Sequence, residues 1–183
     1  MVIGDNAAGA SAEGGATADE GRPSRAESCQ VLRNKAMDLL ARREHAVAEL
    51  RRKLQAHVEG RGKARNLDAD AIDEVLARLQ DEGLLSDERF TEAFVRYRSN
   101  GGHGPQRIQA ELRERGVSEK IAAIYLDFDD PRWLERATRA RSKRFGEGKP
   151  KDFKQRARQA RFLQYRGFTA DQVRQALDGD VVD

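Results

Sequence analysis

An all-α chain of three tandem three-helix repeats, forming an elongated curved array behind a disordered N-terminal arm, is the fold predicted for this 183-residue sequence. From about Ser28 onward, apolar residues recur at the helical period and no alternating strand pattern appears. Gly116-Val117-Ser118, followed by Ala122 and Leu126, returns 51 residues later as Gly167-Phe168-Thr169, followed by Val173 and Leu177. Leu, Ile, Val and Phe together number 37, too few for one thick core but suited to thin stacked layers.

Residues 1–27 are mostly Gly, Ala, Ser, Thr, Asp and Glu, with too little apolar surface to offset the entropy of ordering, and are read as the arm. Repeat one, 28–83, opens with Val31, Ala36, Leu39 and Leu40 on a first helix. Val47, Leu50, Leu54 and Val58 mark a second. A glycine-containing connector, Gly60 to Asn66, leads to Ile72, Val75, Leu76 and Leu79 on a third, which Gly83 closes. Repeat two, 84–129, starts where Ser86 caps a helix with Asp87 and Glu88 in its first turn, the end the macrodipole makes favourable to acids. Phe90, Phe94 and Tyr97 are assigned to its inner face. Gly101, Gly102 and Gly104 break the chain, and Pro105 suits the first helical position that follows. Ile108 and Leu112 anchor that helix, and Ser118 starts another with Ile121, Ala122, Tyr125 and Leu126 as its stripe. In repeat three, 130–178, Asp130-Pro131 begins a seventh helix, 150–152 separate it from an eighth, and Thr169 with Gln172 forms a capping box for a ninth. Residues 179–183 are an acidic tail.

Net charge at pH 7 is only +3, but it is unevenly placed. Residues 131–177 hold 14 basic and 4 acidic side chains, a local +10, against near neutrality in 31–130. So large an excess is the footprint of a polyanionic partner. At 100° per residue, Arg132, Arg136, Arg139 and Lys143 share an arc of about 60° on the seventh helix, with Trp133, Ala137 and Ala140 turned inward. On the eighth, Lys154, Arg158 and Arg161 share another arc with Tyr165 beside them, opposite an apolar side of Phe153, Ala157, Ala160 and Leu163. Mobile cations of this kind suit phosphate contact, and Tyr165 suits stacking on a base. The bland reading of both arcs is a well-solvated helix surface, which would ordinarily mix both signs.

Catalysis finds little support. His45, His57 and His103 have no Cys or His partner at ligand spacing, so no metal and no cofactor is expected. Glu44, His45 and Glu49 are neighbours on the helical period and read as a solvated face. The glycines 101, 102 and 104 lack the strand that precedes a phosphate-binding loop. Residues 106–126 have helix-turn-helix spacing, so a DNA-binding transcriptional regulator is the alternative reading. Its would-be recognition helix, however, offers Glu119, Ala122 and Ala123 where Arg, Asn or Gln would read bases. An unrecognised DNA-processing activity is the enzymatic rival, and no nucleophile constellation supports it. Cys29 is alone, no run is apolar enough to span a bilayer, and no secretory signal is evident, so a cytoplasmic protein is expected.

The stretch from Gly83 to Val117, GLLSDERFTEAFVRYRSNGGHGPQRIQAELRERGV, closely resembles the central hallmark of the RecX family, bacterial regulators of the RecA recombinase. The matching positions are Gly83-Leu84-Leu85, Asp87, Arg89-Phe90, Phe94, Arg98, Gly104-Pro105, Arg107-Ile108, Glu111-Leu112 and Gly116. REHAVAELRRKL, Arg43 to Leu54, is similar to that family's first repeat, and the resemblance runs over about 31–178. It implies a three-repeat helical rod lying in the groove of a RecA–single-stranded-DNA filament. It also implies suppression of strand exchange, ATP hydrolysis and coprotease action, and so a part in DNA repair and the SOS response. The expected partners are RecA and its filament, with weak direct nucleic-acid binding, no membrane, and a monomeric protein. The filament or DNA contacts expected are Arg132, Arg136, Arg139, Lys143, Lys154, Arg158, Arg161 and Tyr165.

Overall fold

The computed structural model describes residues 23–60 and 67–179, so most of the arm, nearly all of the Gly60–Asn66 connector and residues 180–183 of the acidic tail lie outside it. The described residues form nine α-helices and no strand: α1 Arg25–Leu40, α2 Val47–Glu59, α3 Ala71–Asp81, α4 Asp87–Asn100, α5 Pro105–Glu114, α6 Glu119–Tyr125, α7 Arg132–Phe145, α8 Phe153–Arg166 and α9 Ala170–Asp178. Each helix packs chiefly within its own trio, α1–α3, α4–α6 or α7–α9.

Local chemistry sets most of the starts. The side chains of Ser86, Ser118, Asp152 and Thr169 each accept a backbone N–H from the first turn they precede. Such a bond satisfies one of the N–H groups a helix leaves open at its start. Thr169 and Gln172 form the expected capping box, and Pro105 opens α5 behind Gly104. At α1 the sequence boundary moves. Ser24 Oγ accepts from Glu27 N–H at 3.2 Å while the Glu27 carboxylate accepts Ser24 N–H at 2.8 Å, a second capping box that starts the helix at Arg25.

Two cores hold the trios, rather than one small core for each. Leu32, Leu50, Leu54, Leu76 and Leu79 fill the first trio, with Leu85 of the following segment closing it. The second core runs without a break through the other two trios, from Phe90, Ile108 and Leu112 to Trp133, Leu163, Phe168 and Leu177. Three residues expected inside are exposed. Val31 is 43% exposed because α1 turns Ser28, Cys29, Leu32 and Ala36 inward, a face about 100° away. Tyr97 is 74% exposed in the last turn of α4, where Ser99 is the buried residue. Phe153 is 86% exposed because it is the first residue of α8, and burial begins further along that helix.

Beside the shared apolar core, specific polar bonds fix each joint. Ala46, before α2, has no side chain able to cap, and Asp87 of α4 supplies the acceptor instead, taking Val47 N–H at 2.8 Å. Arg52 donates to Glu114 O at 3.0 Å, and Arg89 pairs with Glu44 at 3.1 Å. At the other joint, Gly104 N–H donates to Arg166 O at 2.8 Å and Gln106 N–H to Gly167 O at 3.0 Å.

Candidate polyanion interface

Trp133 anchors α7: its indole N–H donates to Asp127 O at 2.7 Å and the ring is buried. The cations of the helix then divide by what they touch. Arg132 is held by Asp130, with N···O 2.6 Å, so its charge is already matched. Arg136 lies with its guanidinium carbon 4.8 Å from the Trp133 ring centroid. Burial, and then the charge of Arg132, push its pKa below the ordinary value, though an arginine stays protonated there. Arg139, Lys143 and Arg144 are exposed, and none has a carboxylate within 4.0 Å among the described residues. Arg141 is only 5% exposed and donates to Gly148 O at 2.9 Å, tying α7 to the turn that follows; the charge pattern alone does not reveal this structural role.

On α8, Lys154, Arg158 and Arg161 are exposed as expected. Arg158 sits 5.5 Å from the Phe145 ring centroid. Tyr165 is 75% exposed, but Arg107 of α5 lies 5.3 Å from its ring centroid. That leaves the opposite face of the phenol open for stacking. Arg156 pairs with Asp178 at 2.7 Å.

The predicted residues therefore separate. Arg136, Arg139 and Lys143 come together along a cleft of about 350 Å³ between the α4–α5 turn and the α7–α8 pair. Lys154, Arg158, Arg161 and Tyr165 do not line it. Two further cations do, Arg144 and Arg166, which the sequence reading missed. Arg166 donates to Gly101 O at 3.2 Å and lies 5.1 Å from the Phe162 ring centroid, so it is positioned across the joint. Its sequence signals are its place at the end of a helix just before Gly167 and its alignment with Arg115, 51 residues earlier in the repeat. Ser99, Asn100 and Gly102 complete the opposite wall, and among the described residues no carboxylate lines the cleft.

The other candidates resolve differently. The helix-turn-helix segment ends in α6, a helix of seven residues, with Ala122 buried in the core and Glu119 paired to Arg113 at 3.3 Å. His45, expected on a solvated face, is only 2% exposed at the joint beside Ala46. Burial first, and then Arg43, hold its pKa below the ordinary imidazole value despite Glu49 at 3.4 Å. Among the described residues no group of three or more His, Cys, Asp or Glu is placed to hold a metal ion. No described helix is long and apolar enough to cross a membrane.

The comparisons with known proteins meet this architecture at each level. Residues 86–126 match the family model described as RecX, second three-helix domain, and residues 130–177 match RecX, third three-helix domain. The regulatory protein RecX of Halorhodospira halophila is 46% identical over 147 residues, which cover 80% of this chain and 86% of that protein. The regulatory protein RecX of Pseudomonas putida (strain GB-1) is 41% identical over 153 residues, covering 84% and 93%. The crystal structure of RecX from Lactobacillus salivarius superposes with a TM-score of 0.67 at 21% identity, over 84% of this chain and 96% of that one, a likeness of fold. With helix trios in the matching places and close identity over most of the length, this chain belongs to the RecX family.

Proposed function

We propose that this chain is a non-enzymatic cytoplasmic regulator of the RecA recombinase. It engages RecA and its single-stranded-DNA filament and restrains strand exchange, ATP hydrolysis and coprotease action, and through them DNA repair and the SOS response. The family relationship supports a regulatory role, and the naming of relatives as regulatory proteins agrees with it. The observation that carries the contact surface is the set of cations on α7 and at the end of α8 that form no ion pair within 4.0 Å among the described residues: Arg136, Arg139, Lys143, Arg144 and Arg166. A filament of protein wound on nucleic acid presents repeated phosphate charge, which such a surface attracts before any specific contact forms. Locking the filament across neighbouring protomers would then slow their exchange and the turnover that depends on it.

Single-stranded-DNA-dependent ATP hydrolysis by the cognate RecA, measured with substoichiometric amounts of this protein, tests the proposal. The expected result is inhibition well beyond one RecA protomer per regulator. Unchanged hydrolysis and unchanged filament length at saturating protein would overturn it. The transcriptional-regulator reading makes the opposite demand: discrimination of a cognate duplex from random DNA by orders of magnitude at fixed salt.

A further inference from the structure

The cleft between the second and third trios differs from the rest of the basic surface in how it is built. Five cations converge on it from two helices, Arg136, Arg139, Lys143 and Arg144 from α7 and Arg166 from the end of α8. The opposite wall belongs to another trio: Ser99 and Asn100 at the end of α4, then the turn through Gly101 and Gly102. Its volume of about 350 Å³ lies in the range of small-ligand clefts. Asp130 and Glu135 act on Arg136 from outside the lining, but the cleft's own cations outnumber them and repel one another, and an anion seated among them relieves that repulsion. Two of the cations are also held in place rather than free to move: Arg136 on the Trp133 ring, and Arg166 by Gly101 O and the Phe162 ring. Preorganised arginines are well suited to phosphate oxygens, to which they donate in pairs.

We infer that this cleft is a binding site for linked phosphate groups, and that its occupant bridges the second and third trios. The inference rests on the reading of the third trio as the polyanion-facing part of a RecA regulator, and it makes that reading specific. The cleft, not the α8 arc, takes the phosphates. The same chemistry is offered by the backbone of a single strand and by the triphosphate of a free nucleotide. Because Arg166 and the Gly101–Gly102 turn stand on either side of the joint, a phosphate held there adds polar contacts at the rim of a boundary already held by the shared apolar core and by backbone hydrogen bonds.

The test uses the free protein without RecA, so its failure is separate from failure of the regulatory reading. Binding of a labelled oligo(dT) strand and of inorganic tripolyphosphate is measured at one fixed salt concentration. The variants are Arg139→Glu/Lys143→Glu and, as a control of equal charge change, Lys154→Glu/Arg158→Glu. The cleft variant should weaken binding by about tenfold or more, while the α8 variant stays within about twofold. Loss confined to the strand identifies a nucleic-acid backbone as the occupant, and loss for both probes identifies a site that also takes free triphosphates. Asn100→Asp, which adds a carboxylate to the far wall without added bulk, should weaken the same probes and serves where the double reversal fails to fold. Hydrogen exchange at the amides of Gly104 and Gln106 should slow when the effective probe is bound. Equal weakening by both double reversals would leave only a diffuse field, and no binding of either probe by the native protein would leave an acidic protein surface as occupant. Either result overturns the inference.

Discussion

Gly104 and Gly167 lie backbone to backbone at the joint between the second and third trios. A Cβ added to Gly104 would come closer than 3.0 Å to the carbonyl of Gly167, with only main-chain atoms in its way. The joint between the first two trios repeats the device. Gly116, 51 residues before Gly167, meets Ala48 at the start of α2, as Gly167 meets Arg107 near the start of α5. The second and third trios thus each dock the glycine that follows their second helix onto the beginning of the preceding trio's second helix. The approach is possible because no side chain intervenes.

Gly104→Ala isolates that close approach. The residue has φ −85°, open to any amino acid, so the substitution costs nothing in backbone conformation. Its new methyl instead forces apart the two backbones joined by Gly104 N–H to Arg166 O and Gln106 N–H to Gly167 O. A loss of about 1–3 kcal/mol in urea unfolding is expected. It should be accompanied by faster exchange of the Gly104 and Gln106 amides than of those within α1–α3.

At the other joint the obstruction is a single methyl. A Cβ on Gly116 would lie 2.5 Å from Ala48 Cβ, and φ is +83° there, so Gly116→Ala carries both a clash and left-handed strain. Adding Ala48→Gly removes the clash and leaves the strain, about 1–2 kcal/mol. The double variant should therefore lose less than the two single variants summed. A double-mutant cycle in denaturant measures this directly, with a coupling of about 0.5 kcal/mol or more expected.

Asp87 caps a helix that is not its own, accepting Val47 N–H at 2.8 Å. Asp87→Ala should cost about 1 kcal/mol or somewhat more, the usual effect of losing a cap. Asp87→Asn keeps an oxygen in the same place and should recover most of that loss. Because the bond joins two trios, thermal unfolding of the Asp87→Ala variant should show the first trio melting earlier than the remainder.

Two histidines make the fold acid-sensitive before its carboxylates do. Burial chiefly lowers the pKa of His45 and of His103, with Arg43 adding to the first and Arg98, Arg166 and Arg107 to the second. The unfolded chain therefore takes up protons near pH 6.5 that the folded chain refuses, and stability falls as pH drops through that value. Glu111 acts lower on the scale. Burial opposes its ionisation, but the Arg98 and Arg107 guanidiniums outweigh that and hold its pKa below the ordinary value, so its contribution is lost as pH falls below about 4.5. A pH series of urea titrations should show a decline beginning just below pH 6.5 that the double variant His45→Gln/His103→Gln flattens, while the later Glu111 limb persists.

The helical plan was legible because its causes lie within a few residues of one another. Ser86, Ser118 and Thr169 cap the turns they precede, Pro105 follows Gly104, and the stripes of Ile72, Val75, Leu76 and Leu79 or Ile108 and Leu112 follow the helical period. The same local rules misplace residues at helix ends, where angular position no longer says whether a neighbour is present. Tyr97 and Phe153 have suitable chemistry for a core but nothing packed over them, and both stay largely exposed. The basic segment was visible as a charge excess, but not its internal division. Arg141 is buried against Gly148 O, Arg132 is neutralised by Asp130, and only Arg136, Arg139 and Lys143 of the predicted set reach the cleft.

The sequence by itself determined an all-helical chain in trios, a basic third trio and the RecX resemblance, all of which depend on short-range pattern and composition. The tertiary structure alone decided that two trios share one core, that Asp87 caps α2, and that Arg166 stands opposite Asn100 in one cleft. Asp87 and Val47 lie 40 positions apart and Asn100 and Arg166 66, and the shared core gathers residues from Ala46 to Leu177. A surface cation carries no periodic mark of its partner, so its role is set only when docked backbones, as at Gly104 and Gly167, bring two trios into register.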